Sequence, residues 1–359
     1  MRKLTIRASA ALAMAVSGPA VLAVLALISF AAGGAGPVAA TAPRSDEGAE
    51  LPCHRIPNLG EAAEWYFSPD GSLLVGNAKG PGDDAHQVYV ASPDGRTVRR
   101  INDRGEDACS YFFPDGKRVL WTSTRDWPDL PKGDWSNAED YPRGAEIYSS
   151  DLEGRDVRRL TENRVYDAEC VVAPNGRWIL FGRQVEGKMD LWTMDADGSN
   201  QKQITFTDDW QEGGAQIMPD GETVILRAWL RADQAKGRGR MPMHIFTVRR
   251  DGSERKQITS GEATHWAPYP APDGKHFVYV RVLTEANGRP NYEVYLRDLG
   301  TGEERRLTFD PGFDGFPSIS ADGRWLTFSS SRGGKPGERA LYQYLMDISS
   351  LGVGPAAAK

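Results

Sequence analysis

Residues 173–205 read APNGRWILFGRQVEGKMDLWTMDADGSNQKQIT. Pro174-Asn175-Gly176 is a turn signal, because Gly accepts the positive φ that a tight hairpin needs. The run after it, Trp178-Ile179-Leu180-Phe181, is short, β-branched and aromatic, and it predicts a strand. Leu191-Trp192 opens a third strand, Asp197-Gly198 turns the chain again, and Gln203-Ile204-Thr205 is a fourth.

The same order recurs along the chain. Pro69-Asp70-Gly71, Pro114-Asp115-Gly116, Pro174-Asn175-Gly176, Pro219-Asp220-Gly221, Pro272-Asp273-Gly274 and Ala321-Asp322-Gly323 fall between 45 and 60 residues apart. Apolar runs such as Arg118-Val119-Leu120-Trp121 and Phe277-Val278-Tyr279-Val280 follow them. Apolar-aromatic pairs come next: Val88-Tyr89, Ile147-Tyr148, Ile245-Phe246, Val294-Tyr295 and Leu341-Tyr342. These aromatics are expected to pack between units. Arg99-Arg100-Ile101, Arg158-Arg159-Leu160, Gln257-Ile258-Thr259 and Arg306-Leu307-Thr308 then close their units. Four short strands repeated six times predict an all-β, six-bladed β-propeller.

The sixth unit stops after its third strand, near Met346. Ahead of the first unit, Arg55-Ile56-Pro57 resembles a fourth strand, with Ile56 standing 14 residues before Asp70 as Ile101 stands 14 before Asp115. The N-terminal strand is therefore expected to complete the last blade, which leaves no open sheet edge at the seam.

The Pro-Asp-Gly hairpins, aromatic third strands and Arg-Arg-Leu-Thr-type fourth strands resemble the repeats of TolB-like six-bladed propellers. Similar repeats occur in periplasmic Tol components, in the propeller halves of prolyl-peptidase-like enzymes and in oligogalacturonate lyases, so the resemblance implies a fold more than a reaction. TolB carries an α/β domain before its propeller, whereas about 12 residues separate Ala40 from the first strand here, which puts a strict Tol-system role in doubt. The peptidase relatives need a Gly-x-Ser-x-Gly elbow, and the sequence has none.

At the N-terminus Arg2, Lys3 and Arg7 precede an uncharged run, residues 8–43, rich in Ala, Val and Leu. This reads as a signal peptide cleaved after Ala40, where Val38-Ala39-Ala40 supplies small residues. The competing reading is an uncleaved membrane anchor, since the run approaches the roughly 20 residues that span a bilayer. The expected organisation is a signal peptide over 1–40, a linker over 41–50, the propeller over 51–347 and a tail over 348–359. A periplasmic or secreted monomer follows.

The net charge is −6, and loss of residues 1–40 leaves 40 basic against 49 acidic residues. So acidic a chain argues against nucleic acid. Cys53, Cys109 and Cys170 are too few for a disulfide scaffold, although Cys109 and Cys170 fall near inner strands of adjacent blades and could meet.

Superposed on their turn residue, the six units place Ala62, Asp107, Asp167, Glu212, His265 and Asp314 eight positions earlier, and Glu64, Cys109, Glu169, Gly214, Ala267 and Phe316 six positions earlier. Pseudo-sixfold geometry would gather Glu64, Asp107, Asp167, Glu169, Glu212, His265 and Asp314 at the channel mouth as a ligand-binding ring. Clustered carboxylates need a cation or shared protons. Asp107, Asp167, Glu212, His265 and Asp314 are accordingly the expected ligands of a divalent cation, calcium, magnesium or manganese by their oxygens, with zinc admitted by the histidine. The alternative is that these side chains cap strand ends or bond loop backbone.

Long loops open on the same face. Residues 126–144 carry Trp127, Trp135 and Tyr141, residues 231–242 carry Lys236, Arg238 and Arg240, and residues 285–291 form a third. Aromatics beside arginine anchor interfaces and stack on sugars or peptides, unless they pack their own loop onto the rim. The expected function is an exported binding module of the cell envelope that recognises a protein, peptide or glycan on the loop-rich face. The alternative is a metal-assisted hydrolase or lyase at the channel mouth.

Overall fold

A computed structural model describes residues 49–237, 240–335 and 340–355. The expected signal peptide, nearly all of the linker and Arg238 lie outside the described residues. Six four-stranded antiparallel sheets form the molecule. Blade one is β2 (Glu61–Phe67), β3 (Leu74–Lys79), β4 (Gln87–Ala91) and β5 (Val98–Arg100). Blade two is β6 (Asp107–Phe112), β7 (Arg118–Ser123), β8 (Glu146–Asp151) and β9 (Arg158–Arg159). Blade three is β10 (Tyr166–Val172), β11 (Trp178–Val185), β12 (Lys188–Asp195) and β13 (Lys202–Gln203). Blade four is β14 (Trp210–Ile217), β15 (Thr223–Leu230), β16 (His244–Arg249) and β17 (Lys256–Gln257). Blade five is β18 (His265–Pro270), β19 (His276–Thr284), β20 (Pro290–Asp298) and β21 (Glu304–Arg306). Blade six is β22 (Asp314–Ile319), β23 (Trp325–Ser330) and β24 (Tyr342–Asp347), completed by β1 (Cys53–Arg55).

The six turns share one mechanism. Gly71, Gly116, Gly176, Gly221, Gly274 and Gly323 have φ between 66° and 72°. Each glycine N–H donates to the carbonyl three residues back. The Asp or Asn before it accepts from the N–H two residues on, as Asp70 does from Ser72 at 3.0 Å and Asn175 from Arg177 at 2.9 Å. The side chain thus fixes the hairpin where the backbone alone would leave a donor unused.

The threonine two residues beyond the fourth strand has a comparable task. Thr161, Thr205, Thr259 and Thr308 each accept, through Oγ1, the N–H of an apolar residue of the third strand, at 2.8–2.9 Å. In blade six the aromatic partner of the second strand is Tyr344, opposite Phe328 and Arg55, not Tyr342. Tyr342 instead lies under the Arg55 guanidinium, 3.5 Å from the ring centroid.

Apolar clusters fill the spaces between blades, with Trp65, Trp121 and Trp178 fully buried. The expected C-terminal tail contributes to them, since Ile348 and Val353 are buried beside Val278 and Leu326 of blades five and six. At the seam, Cys53 to Arg55 pair with Met346 to Tyr344. Arg332 ties the N-terminal strand down there, contacting Glu50 at 2.9 Å, the Cys53 thiol at 3.2 Å, and Asp314.

Candidate functional site

Propeller sheets stand radially, so the faces of each strand pack against neighbouring blades and only the edge of the first strand borders the axis. The six first strands contact one another in a ring. Ordinary strand residues therefore point mainly between blades. Each first strand departs from regular pairing once, at the same place. Its pairing with the second strand shifts register, between Ala63 and Tyr66, Ala108 and Tyr111, Ala168 and Val171, Gly213 and Gln216, Trp266 and Tyr269, and Gly315 and Ser318. The bulged residues are Glu64, Cys109, Glu169, Gly214, Ala267 and Phe316, all with φ of 50–58°. A bulge re-aims a side chain, and all six of these residues line one central cavity of ≈ 110 Å³.

The residues two positions earlier do not line it. Asp107 accepts from Asn102 at 2.8 Å and from the Val88 N–H at 3.0 Å, and burial pushes its carboxyl up to about 7. Asp167 holds Arg183 with both oxygens, at 2.6 and 2.7 Å, and accepts from Asn163. Glu212 meets Arg255 at 3.0 Å. His265 turns Nδ1 to the Met243 carbonyl at 3.2 Å, and burial lowers it to about 4. Asp314 pairs with Arg332, while burial raises it to about 6. Each expected metal ligand is thus buried between blades with a local partner. Among the described residues no group of three or more His, Cys, Asp or Glu could hold a metal ion. The expected ring separates because residues eight before the turn still obey ordinary strand geometry.

Of the expected channel ligands, Glu64 and Glu169 are brought together. Glu169 accepts from the Gly214 N–H at 2.6 Å through Oε2 and from Arg227 Nη2 at 2.7 Å through Oε1. Arg227 belongs to β15 and reaches the channel because blade four has glycine at the bulge. A Cβ on Gly214 would collide with Arg227 Nη1, and one on Gly213 with the Glu169 carboxylate. Glu64 accepts from the Tyr66 hydroxyl at 3.1 Å and, at 3.5 Å, from Asn77. Burial, and then the charge of Glu169, push its carboxyl up to about 7. Tyr66, Tyr166, Tyr269 and Trp266 supply aromatic wall.

The blade-two insertion roofs this cavity. Tyr141 stacks on Tyr166 at 4.3 Å and 13°, Trp135 meets the same ring edge-on at 6.0 Å, and both line the cavity. Trp127 lies between Arg159 and Arg164, at 5.3 and 4.7 Å, and packs against Gly144. Tyr141 and Trp135 join Met241 and Met243 of the blade-four insertion in one apolar cluster. These aromatics hold the roof together and leave no free anchor; Arg240 remains exposed and Lys236 pairs with Asp233. Arg227, Tyr66 and Tyr166 were not singled out in the sequence. A rule that the bulge looks inward would have favoured the position six before the turn, but Arg227 sits on a second strand and carries no such mark.

Cys109 and Cys170 do meet, without a disulfide: the Cys170 thiol donates to the Cys109 carbonyl at 3.3 Å, and all three cysteines are free.

No family model matches the chain. It is 27% identical over 265 residues to an uncharacterized protein of Agrobacterium fabrum, the match covering 63% of this chain and 86% of that one. To a TolB homolog of Chlorobium luteolum it is 26% identical over 165 residues, 45% of this chain and only 33% of that relative's length. The solved structure of a putative TolB from Agrobacterium tumefaciens superposes with a TM-score of 0.56 at 19% identity, covering 82% of this chain and 96% of that one. At that identity the likeness is one of fold.

Proposed function

Starting from a chain that is a TolB-like six-bladed β-propeller, we propose that it is an exported interaction module of the cell envelope that docks a protein partner on its loop-rich face. Strand direction puts the connections between second and third strands, and those between one blade and the next, on a single face. Three of the four exposed large apolar side chains among the described residues lie there, in blades three and four: Phe206 at 77%, Val185 at 44% and Leu230 at 36% exposure. Their concentration in two neighbouring blades on this face, which also carries the basic blade-four insertion with Arg231 and Arg240, is the observation that carries the reading, since exposed apolar side chains concentrated in one region mark interaction surfaces. The TolB relative supports the class of function, and the TolB structure supports the fold. The N-terminal basic and apolar run supports export, and the acidic net charge disfavours nucleic acid. Metal-assisted hydrolysis or elimination finds no donor set among the described residues.

Photo-crosslinking from position 206, in the native envelope, tests the proposal. One stoichiometric protein adduct, lost when Val185→Asp and Leu230→Asp are added to the chain carrying the probe at 206, at unchanged melting temperature, is the expected result. Equal, diffuse labelling by wild type and variant would remove the docking surface.

A further inference from the structure

The central cavity carries a charge imbalance that no protein group answers. Its wall holds two carboxylates, Glu64 and Glu169, and one guanidinium, Arg227. Both Glu169 oxygens are taken by Arg227 and the Gly214 N–H. Glu64 has the Tyr66 hydroxyl, a long contact to Asn77 and the Cys109 thiol, all of them neutral groups. One carboxylate is thus left in a partly dry site without a cation, an arrangement that costs free energy unless a proton or a ligand neutralises it.

The surroundings specify what could neutralise it. The faces and edges of Tyr66, Tyr166, Tyr269, Trp266 and Phe316 border the cavity, and aromatic faces attract organic cations. Ser110 lines the same cavity, is 1% exposed, and its hydroxyl has no hydrogen-bond partner. A buried hydroxyl left unsatisfied marks a missing group. A hard metal ion would need more oxygens than one uncommitted carboxylate supplies. An engineered cavity of about 150 Å³ takes up benzene, so ≈ 110 Å³ suits a head group of a few heavy atoms.

We propose that the central cavity binds a small organic ammonium ion, with Glu64 as its counter-ion, the Ser110 hydroxyl as a hydrogen-bond acceptor and the aromatic side chains as its wall. This site is separate from the exposed Val185, Phe206 and Leu230, none of which lines the cavity, and the two readings fail independently. The groups facing Glu64 are Tyr66 on its own strand, Asn77 on β3, Cys109 on β6, Glu169 on β10, Arg227 on β15 and Ser329 on β23, the last accepting the Glu64 N–H at 3.1 Å. The pull of Arg227 on Glu64 is outweighed by burial and by Glu169, which hold the carboxyl near 7. A bound ammonium favours the ionised form, so binding releases a proton below that pH.

Titration of the purified chain with methylammonium, butylammonium and tetramethylammonium, followed by calorimetry and NMR, tests this. Nα-acetyl-lysine amide separates a lysine side chain of a partner from a free amine, and tert-butanol and acetate serve as the neutral and anionic probes. Ammonium binding about tenfold tighter at pH 8 than at pH 6 is expected, following the ionised fraction of a group titrating near 7. Glu64→Gln, close in shape to the neutral acid, is expected to lose at least about tenfold in affinity together with the pH dependence. Ser110→Ala should weaken primary ammonium ions more than tetramethylammonium, which has no N–H to donate. Tert-butanol binding as tightly as tetramethylammonium, acetate binding in place of the amines, potassium competing equally, or no heat and no shifts at tens of millimolar would each overturn the proposal. If Glu64→Gln does not fold, the pH series and the probe set on the wild type decide.

Discussion

Gly214 and Ala267 occupy the same place in two blades, with φ of 54° and 50°, and substitution should act oppositely at them. At Gly214 the backbone tolerates a side chain, because five sister positions carry one at the same φ; what it lacks is room, since Arg227 fills the space. Gly214→Ala should therefore displace Arg227 from Glu169 and cost about 1–3 kcal/mol, the range for a charged hydrogen bond lost in a buried site, readable by urea unfolding. Ala267→Gly relieves a left-handed alanine, worth roughly 1–2 kcal/mol, against a flexibility cost of roughly 0.5–1 kcal/mol in the unfolded chain. Unfolding should find it neutral or slightly stabilising. The same pair shows what the sequence could reveal about the site. Superposing the repeats located both rings, but choosing between them needs the bulge, which is a property of strand pairing and leaves no residue signature when its six members are Glu, Cys, Glu, Gly, Ala and Phe.

Strands and turns were readable because each rests on local chemistry: an Asp or Asn that caps its own hairpin, a Gly at positive φ, a Thr that reaches one strand across. The blade-two insertion was readable as a loop but not as a roof, since its fold depends on contacts with Tyr166 and with the blade-four insertion, far away in the chain. Its hold should depend on Tyr141. Tyr141→Ala removes a buried, stacked ring, a loss of about 3–5 kcal/mol by analogy with large aromatic truncations. Hydrogen exchange should then accelerate across residues 126–144 while the strands of blade two keep their protection. Equal loss of protection throughout the blade would mean that the insertion is part of the blade's cooperative unit.

At the scale of the whole molecule, buried acids set the response to pH. Glu64 and Asp107 are raised to about 7, Asp314 to about 6 and Glu293 to about 8, in each case chiefly by burial. The folded state keeps protons that the unfolded chain has shed, so this contribution is complete below about pH 4 and is lost as pH rises toward 8. Thermal unfolding should show a higher melting temperature at pH 5.5 than at pH 8, and Glu64→Gln should flatten the difference. One guanidinium reinforces the strand pairing that closes the ring. Arg332→Met strands the buried Asp314 and frees Glu50, with an expected loss of about 3–5 kcal/mol and early exchange in β1 and β24. That closure also imposes an order in time. Cys53 and its partner Met346 leave the ribosome roughly 15–60 s apart at about 5–20 residues per second. Throughout that interval the first strand has nothing to pair with. A nascent chain can assemble its blades one after another as they emerge, but it cannot become a ring until Met346 has been made, so truncation ahead of that residue undoes the beginning.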